Sequence, residues 1–152
     1  MKRIRIDLQT EADTLALGAK LAPLLQTGDA ICLSGDLGAG KSTLARGLIA
    51  ARTGAREAPS PTFTFVETYD AADLVLWHFD LYRLQRPDDV WELGYEDALE
   101  EGAALIEWPE RIGALAPENA LLLTLEHHDG GRIAVIKADE SWAMRLAALG
   151  IN

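Results

Sequence analysis

Eight consecutive residues, Gly35-Asp36-Leu37-Gly38-Ala39-Gly40-Lys41-Ser42, set glycines, a lysine and a hydroxyl at the spacing that wraps a polyphosphate. The glycines accept backbone angles that other residues resist, which lets amides approach an anion closely. Lys41 brings a positive charge to the β- and γ-phosphates, and the Ser42 hydroxyl is a magnesium ligand by type. Average residue usage would supply G-x-x-x-x-G-K-[ST] by chance in about one chain of this length in two hundred. The context fits as well: an apolar run, Ala30–Leu33, precedes the loop, and a stretch of helical composition, Lys41 to Arg52, follows it. Residues 35–43, Gly35 through Thr43, therefore predict a nucleotide-phosphate site. ATP is favoured over GTP because neither Asn119 nor Asn152 begins an Asn-Lys-x-Asp guanine-reading tetrapeptide.

Nucleotide hydrolysis also needs an acid for the metal and a group that orients the attacking water. Two acids end apolar runs: Asp80 after Leu74–Phe79, and Glu107 after Ala103–Ile106. The carboxyl ends of strands are where α/β sheets place ligands. Position alone leaves open which acid serves the metal and which the water. Trp108, between Glu107 and Pro109, reads either as packing at a sheet edge or as an aromatic face for adenine. Ser60-Pro61-Thr62-Phe63 lies where a nucleotide-sensing switch would sit, and equally reads as a plain proline-rich connection. His127 and His128 precede a glycine turn and His78 stands alone in a strand, so the histidines form no metal set.

The elements that must carry these residues read as follows. Ile4, Ile6 and Leu8 alternate with polar residues, as an edge strand does. Thr10 and Asp13 resemble a capping box, and Leu15, Ala19, Ala22 and Leu25 recur at helical spacing until Thr27-Gly28. Strands are predicted at Phe63–Tyr69 and Leu74–Phe79, joined by an acidic turn, and a helix over Pro87–Glu100. Leu121–Leu125 and Arg132–Ile136 bracket Asp129-Gly130-Gly131 as a hairpin, and Ser141–Leu149 closes the chain as a helix. Early alternation of strands and helices with a late hairpin predicts one α/β domain, residues 1–152, built on a central mixed sheet flanked by helices.

Composition bounds the rest. The 152 residues include 24 acidic and 14 basic side chains, a net charge of −10 that opposes direct loading onto RNA, DNA or an anionic membrane. No apolar run reaches the length of a membrane span, and the basic N-terminus lacks a signal-peptide core, so the default address is cytoplasmic. The single cysteine, Cys32, lies in an apolar run and reads as a buried, inert thiol.

Four blocks taken together, Gly35–Thr43, Ser60-Pro61-Thr62-Phe63, His78-Phe79-Asp80-Leu81-Tyr82-Arg83-Leu84 and Ile106-Glu107-Trp108-Pro109-Glu110, resemble the bacterial TsaE family, formerly YjeE. Their order and spacing fit that family from near residue 10 to about residue 137. The resemblance implies a P-loop NTPase fold and an ATPase of tRNA threonylcarbamoyladenosine biosynthesis. It implies that Gly35, Asp36, Leu37, Gly38, Ala39, Gly40, Lys41, Ser42 and Thr43 bind ATP with Mg²⁺, and that Ser42 and Glu107 serve the metal. Asp80 becomes an essential acid in hydrolysis, Trp108 an adenine contact, Thr62 a switch residue, and Arg132 a residue that approaches the nucleotide. Its partner is a TsaB–TsaD pair, which carries the transfer to tRNA, so this chain meets tRNA only through the partner. One departure is Ser42, where many relatives have threonine; both hydroxyls ligate magnesium. A small-molecule P-loop kinase is the competing reading, with Arg83 and Arg86 as weak candidates for a lid. A third is a nucleotide-gated binding module whose hydrolysis is incidental.

Overall fold

The computed structural model describes residues 1–152 and contains one seven-stranded sheet. The strands are β1 (Lys2–Leu8), β2 (Ala30–Ser34), β3 (Val66–Asp70), β4 (Val75–Asp80), β5 (Ala103–Glu107), β6 (Leu121–His128) and β7 (Gly131–Ala138). Their spatial order is β1-β7-β6-β2-β5-β4-β3. The central four, β6, β2, β5 and β4, run parallel, whereas β3, β7 and β1 pair antiparallel at the flanks. The mixed sheet read from the sequence is therefore present, with β1 at an edge. This is a P-loop NTPase-type arrangement, in which β2 feeds the glycine loop and α2 (Lys41–Thr53) leaves it.

Side chains alternate across the strands and sort the core into two layers. Ile31, Leu33, Ala103 and Leu105 face α1 (Glu11–Leu21), α2 and α4 (Glu140–Ala148), together with Leu44, Leu48 and Trp142. Ala30, Cys32, Ala104 and Ile106 face the opposite layer, made by the 3₁₀ segment Pro87–Leu93, α3 (Tyr95–Glu101) and the turns after β5. Each fully buried leucine contributes about 1.5–3 kcal/mol of transfer free energy, so both layers hold the central strands in place. Cys32 is buried, and burial, with a smaller push from Glu110, raises its thiol to about 12, in line with an inert thiol.

Several local expectations need correction. The buried face of α1 is Thr14, Leu17, Gly18 and Leu21, not Leu15 and Ala19, and the α-helix ends at Leu21 before a 3₁₀ turn, Ala22–Leu24. The buried stripe departs from the apolar periodicity because the contact is made through glycines: a Cβ at Gly18 would strike the Leu44 carbonyl, and one at Gly47 the Leu15 carbonyl. α1 and α2 thus cross at backbone distance. The Pro87–Glu100 helix is two pieces, 3₁₀ then α, separated at Gly94 with φ 82°. Strand β3 begins only at Val66, because Phe65 N–H donates to Pro61 O (2.7 Å) and closes a turn over Thr62–Phe65. The hairpin stands, with Asp129 (φ 46°) and Gly130 (φ 80°) as the two left-handed residues that a tight two-residue turn requires. The capping box at Thr10 and Asp13 is also present.

Candidate functional site

The two long helices on one face begin in opposite ways. α1 is closed by its capping box, Thr10 Oγ1 accepting from Asp13 N–H at 3.1 Å. α2 starts at Gly40 (φ 107°) with no side-chain cap. A helix N-terminus carries unpaired amides and a partial positive charge, so the uncapped one can receive an anion. Gly35 lets the loop pass tightly under β6, where a Cβ would collide with the Leu125 carbonyl.

Lys41 is 95% buried, its relative exposure being 5%, and its ammonium donates to the carbonyls of Gly35 (2.6 Å) and Asp36 (2.9 Å). The Trp108 ring covers the same ammonium at 4.2 Å from its centroid and packs on Tyr82 at 4.8 Å. Burial lowers the Lys41 pKa from the ordinary lysine value, while Glu107, Glu110, Asp80 and Asp36 pull it back up. One cation thus lies among several carboxylates.

Register brings the two strand-end acids together. Asp80 pairs with Glu107 across β4 and β5, and Leu33, just before the glycine loop, pairs with Glu107 across β2 and β5. Both acids lie on the α2 side of the sheet and both are buried. Glu107 Oε1 accepts from the Ser42 hydroxyl (3.3 Å), and Oε2 meets His78 Nε2 at 2.7 Å. Asp80 is held differently: Oδ2 accepts from the hydroxyls of Ser60 (3.2 Å) and Thr62 (3.1 Å), and Oδ1 from Tyr82 N–H (3.1 Å). The Asp80 amide in turn donates to Phe65 O at 2.9 Å. Phe65 (φ 68°) and Trp108 (φ 61°) are bulky residues in the left-handed region, and such strain is retained where surroundings fix it, often at functional sites.

Leu37, Gly38, Gly40, Lys41, Ser42, Thr43, Ser60, Thr62, Asp80, Glu107 and Trp108 line a single cavity of about 230 Å³. Most of the predicted site residues therefore meet. Arg132 lies on the other side of the loop: its guanidinium donates to Ala39 O (3.0 Å), Gly38 O (3.1 Å) and Gly131 O (3.0 Å). A trans peptide sets its carbonyl and the next N–H on opposite sides, so the Ala39 carbonyl turned toward Arg132 aims the Gly40 amide away from the hairpin. A second, polar cavity of about 330 Å³ adjoins there, lined by Gln9, Thr10, Thr14, Gly38, Thr43 and Arg132 among others. His78 escaped the sequence reading because a single histidine in an apolar strand carries no spacing signal; only the β4–β5 register puts it beside Glu107.

No group of three or more His, Cys, Asp and Glu side chains is placed to hold a metal by itself. The oxygen set of Ser42 and Glu107 suits magnesium, which is held by one or two carboxylates plus substrate phosphates rather than by a protein cage. The excess of carboxylates over the single Lys41 cation fits the same group, since a polyphosphate entering this cavity needs a further positive charge.

Residues 8–134 match the family model described as threonylcarbamoyl adenosine biosynthesis protein TsaE. The chain belongs to the TsaE family. It is 39% identical over 126 residues to tRNA threonylcarbamoyladenosine biosynthesis protein TsaE of Rickettsia conorii, covering 82% of this chain and 72% of that one. The TsaE protein of Haemophilus influenzae is 38% identical over 128 residues, 80% of this chain and 81% of its own. The TsaE protein of Bacillus subtilis is 32% identical over 127 residues, 83% and 79%. The crystal structure of YdiB from Bacillus subtilis superposes with a TM-score of 0.81 at 26% identity, covering 98% of this chain and 95% of that one. This TsaE-family chain has no helix long and apolar enough to cross a membrane.

Proposed function

We propose that this chain is a magnesium-dependent ATPase that supports tRNA threonylcarbamoyladenosine formation in the cytoplasm, driving the cycle of a TsaB–TsaD pair. The observation that carries the reading is the meeting of an uncapped helix N-terminus, Lys41 and two in-register carboxylates in one cavity. The amides of the Gly35–Thr43 loop and the Lys41 ammonium bind the phosphates, Lys41 exchanging its loop carbonyls for phosphate oxygens. Ser42 and Glu107 would hold magnesium, which would supply charge neutralisation on the phosphates. Asp80 orients the attacking water, and Ser60 and Thr62, whose hydroxyls reach it from the Pro61 turn, link hydrolysis to movement of that segment.

Trp108 bounds the cavity on the acid side and contacts the nucleotide. The Lys41 ammonium lies over one face of its ring. Arg132 acts at the back of the loop. The net charge of −10 supports a division of labour in which the partner grips the tRNA. The kinase reading lacks a lid arginine: Arg83 lies over the Phe63 ring at 4.7 Å and Arg86 pairs with Asp89 at 3.6 Å, and neither lines the cavity.

The test is ATP hydrolysis by the wild type and Lys41→Ala, with and without purified TsaB–TsaD. Stimulation by the pair, lost in Lys41→Ala, is the expected result. Absence of binding or stimulation would remove the pathway assignment and leave nucleotide binding standing. Transfer of labelled γ-phosphate to a small acceptor instead of water would support the kinase.

A further inference from the structure

His78 sits inside β4, 1% exposed, on the α2 side of the sheet between Leu76 and Asp80. Its Nε2 reaches Glu107 Oε2 at 2.7 Å, and because a carboxylate oxygen only accepts, Nε2 donates. The other ring nitrogen, Nδ1, is buried with no hydrogen-bond partner. For packing alone this is a poor choice: an apolar side chain of similar volume would fill the space without an orphaned polar atom. The return on that cost is found only at Glu107.

Glutamate has a long side chain with several rotamers, so a carboxylate meant to hold a metal needs a partner that fixes its direction. With Oε2 tied to His78 on the strand side, the planar carboxylate turns Oε1 toward Ser42 and the cavity, while Lys41 stays on its loop carbonyls. We propose that His78 is a positioning residue that fixes Glu107 for magnesium. The inference rests on the reading of Glu107 as the magnesium-site acid.

The experiment compares His78→Leu, His78→Gln, His78→Asn and Glu107→Ala. Mn²⁺ binding to the ADP complex is followed by electron paramagnetic resonance, and ADP binding is measured separately in EDTA. Second partners of metal ligands typically control affinity about 10–100-fold. His78→Leu is expected to weaken Mn²⁺ binding at least about tenfold and leave metal-free ADP binding within about twofold. Glutamine can present an N–H at the reach of Nε2 and is expected to restore most of the metal affinity. Asparagine is too short and should behave as leucine does, so the Gln–Asn contrast carries the test if His78→Leu does not fold. Wild-type Mn²⁺ affinity in His78→Leu or His78→Asn, or equal losses with and without metal, would overturn the proposal. Unchanged Mn²⁺ affinity in Glu107→Ala would overturn the reading of Glu107 itself, and this inference with it.

Discussion

Asp80 and Glu107 close neighbouring parallel strands at the same level of the sheet, and their surroundings diverge from the first hydrogen bond outward. Glu107 is tied to elements of the rigid core: His78 in the middle of β4 and Ser42 in the first turn of α2. Asp80 is tied to a turn: two of its hydroxyl partners, Ser60 and Thr62, come from the irregular stretch between α2 and β3, and Phe65 of that turn takes its amide hydrogen. On the proposed reading Glu107 is a metal ligand, which must keep its direction, and the core secures it. On the same reading Asp80 orients the attacking water, and partners on a proline-bearing turn suit a segment that moves on hydrolysis. Identical backbone placement thus yields one carboxylate tied to the core and one tied to a turn.

The sharpest way to break this comparison is to neutralise each acid in turn. Glu107→Gln and Asp80→Asn are both expected to lower turnover by about 100-fold or more, the range for loss of one preorganised catalytic group. Only Glu107→Gln should raise the Mg²⁺ concentration needed for half-maximal hydrolysis; Asp80→Asn should act on kcat alone. A magnesium titration of both variants decides the matter, and equal shifts in metal requirement would erase the distinction between the two sites.

A smaller effect is expected at the turn. Ser60 and Thr62 share one oxygen of Asp80, and a hydrogen bond to a charged group is worth about 1.5–3 kcal/mol. Thr62→Val should therefore cost about tenfold in kcat. Ser60→Ala in the same background should cost more than it does alone, because each hydroxyl covers for the other. Independent, additive losses in that double-mutant cycle would place the switch elsewhere.

The mildest perturbation is pH, acting on the cation between the acids. The Lys41 pKa in the folded protein lies below its unfolded value of 10.5, so in the window between the two the unfolded chain binds more protons and stability rises with pH. Phosphate binding requires the ammonium, so nucleotide affinity should fall as pH rises through the same window, beginning below 10.5. Calorimetric titration with ADP at increasing pH checks this, and constant affinity up to 10.5 would mean that burial of Lys41 does not govern its charge.

Much of this site was legible one residue at a time. The glycine loop declared itself because its function is carried by backbone amides and by residue types at fixed spacing, which sequence records directly. Asp80 and Glu107 were found because each ends an apolar run, a local property. Where reading failed, the cause was a contact between distant segments: the Gly18–Leu44 crossing that set the buried face of α1, and the Phe65–Pro61 hydrogen bond that delayed β3.

The sequence by itself determined that a phosphate loop, two strand-end acids and an acidic surface exist in one chain, since each is a matter of composition and short-range order. The tertiary structure alone decided their partnership. A sheet order that inserts β5 between β2 and β4 brings Glu107 level with both the loop strand and Asp80. It also puts His78 under Glu107 and sends Arg132 behind the loop. The reason is physical: hydrogen bonding between strands fixes which residues lie side by side, and no local pattern in the chain encodes that register.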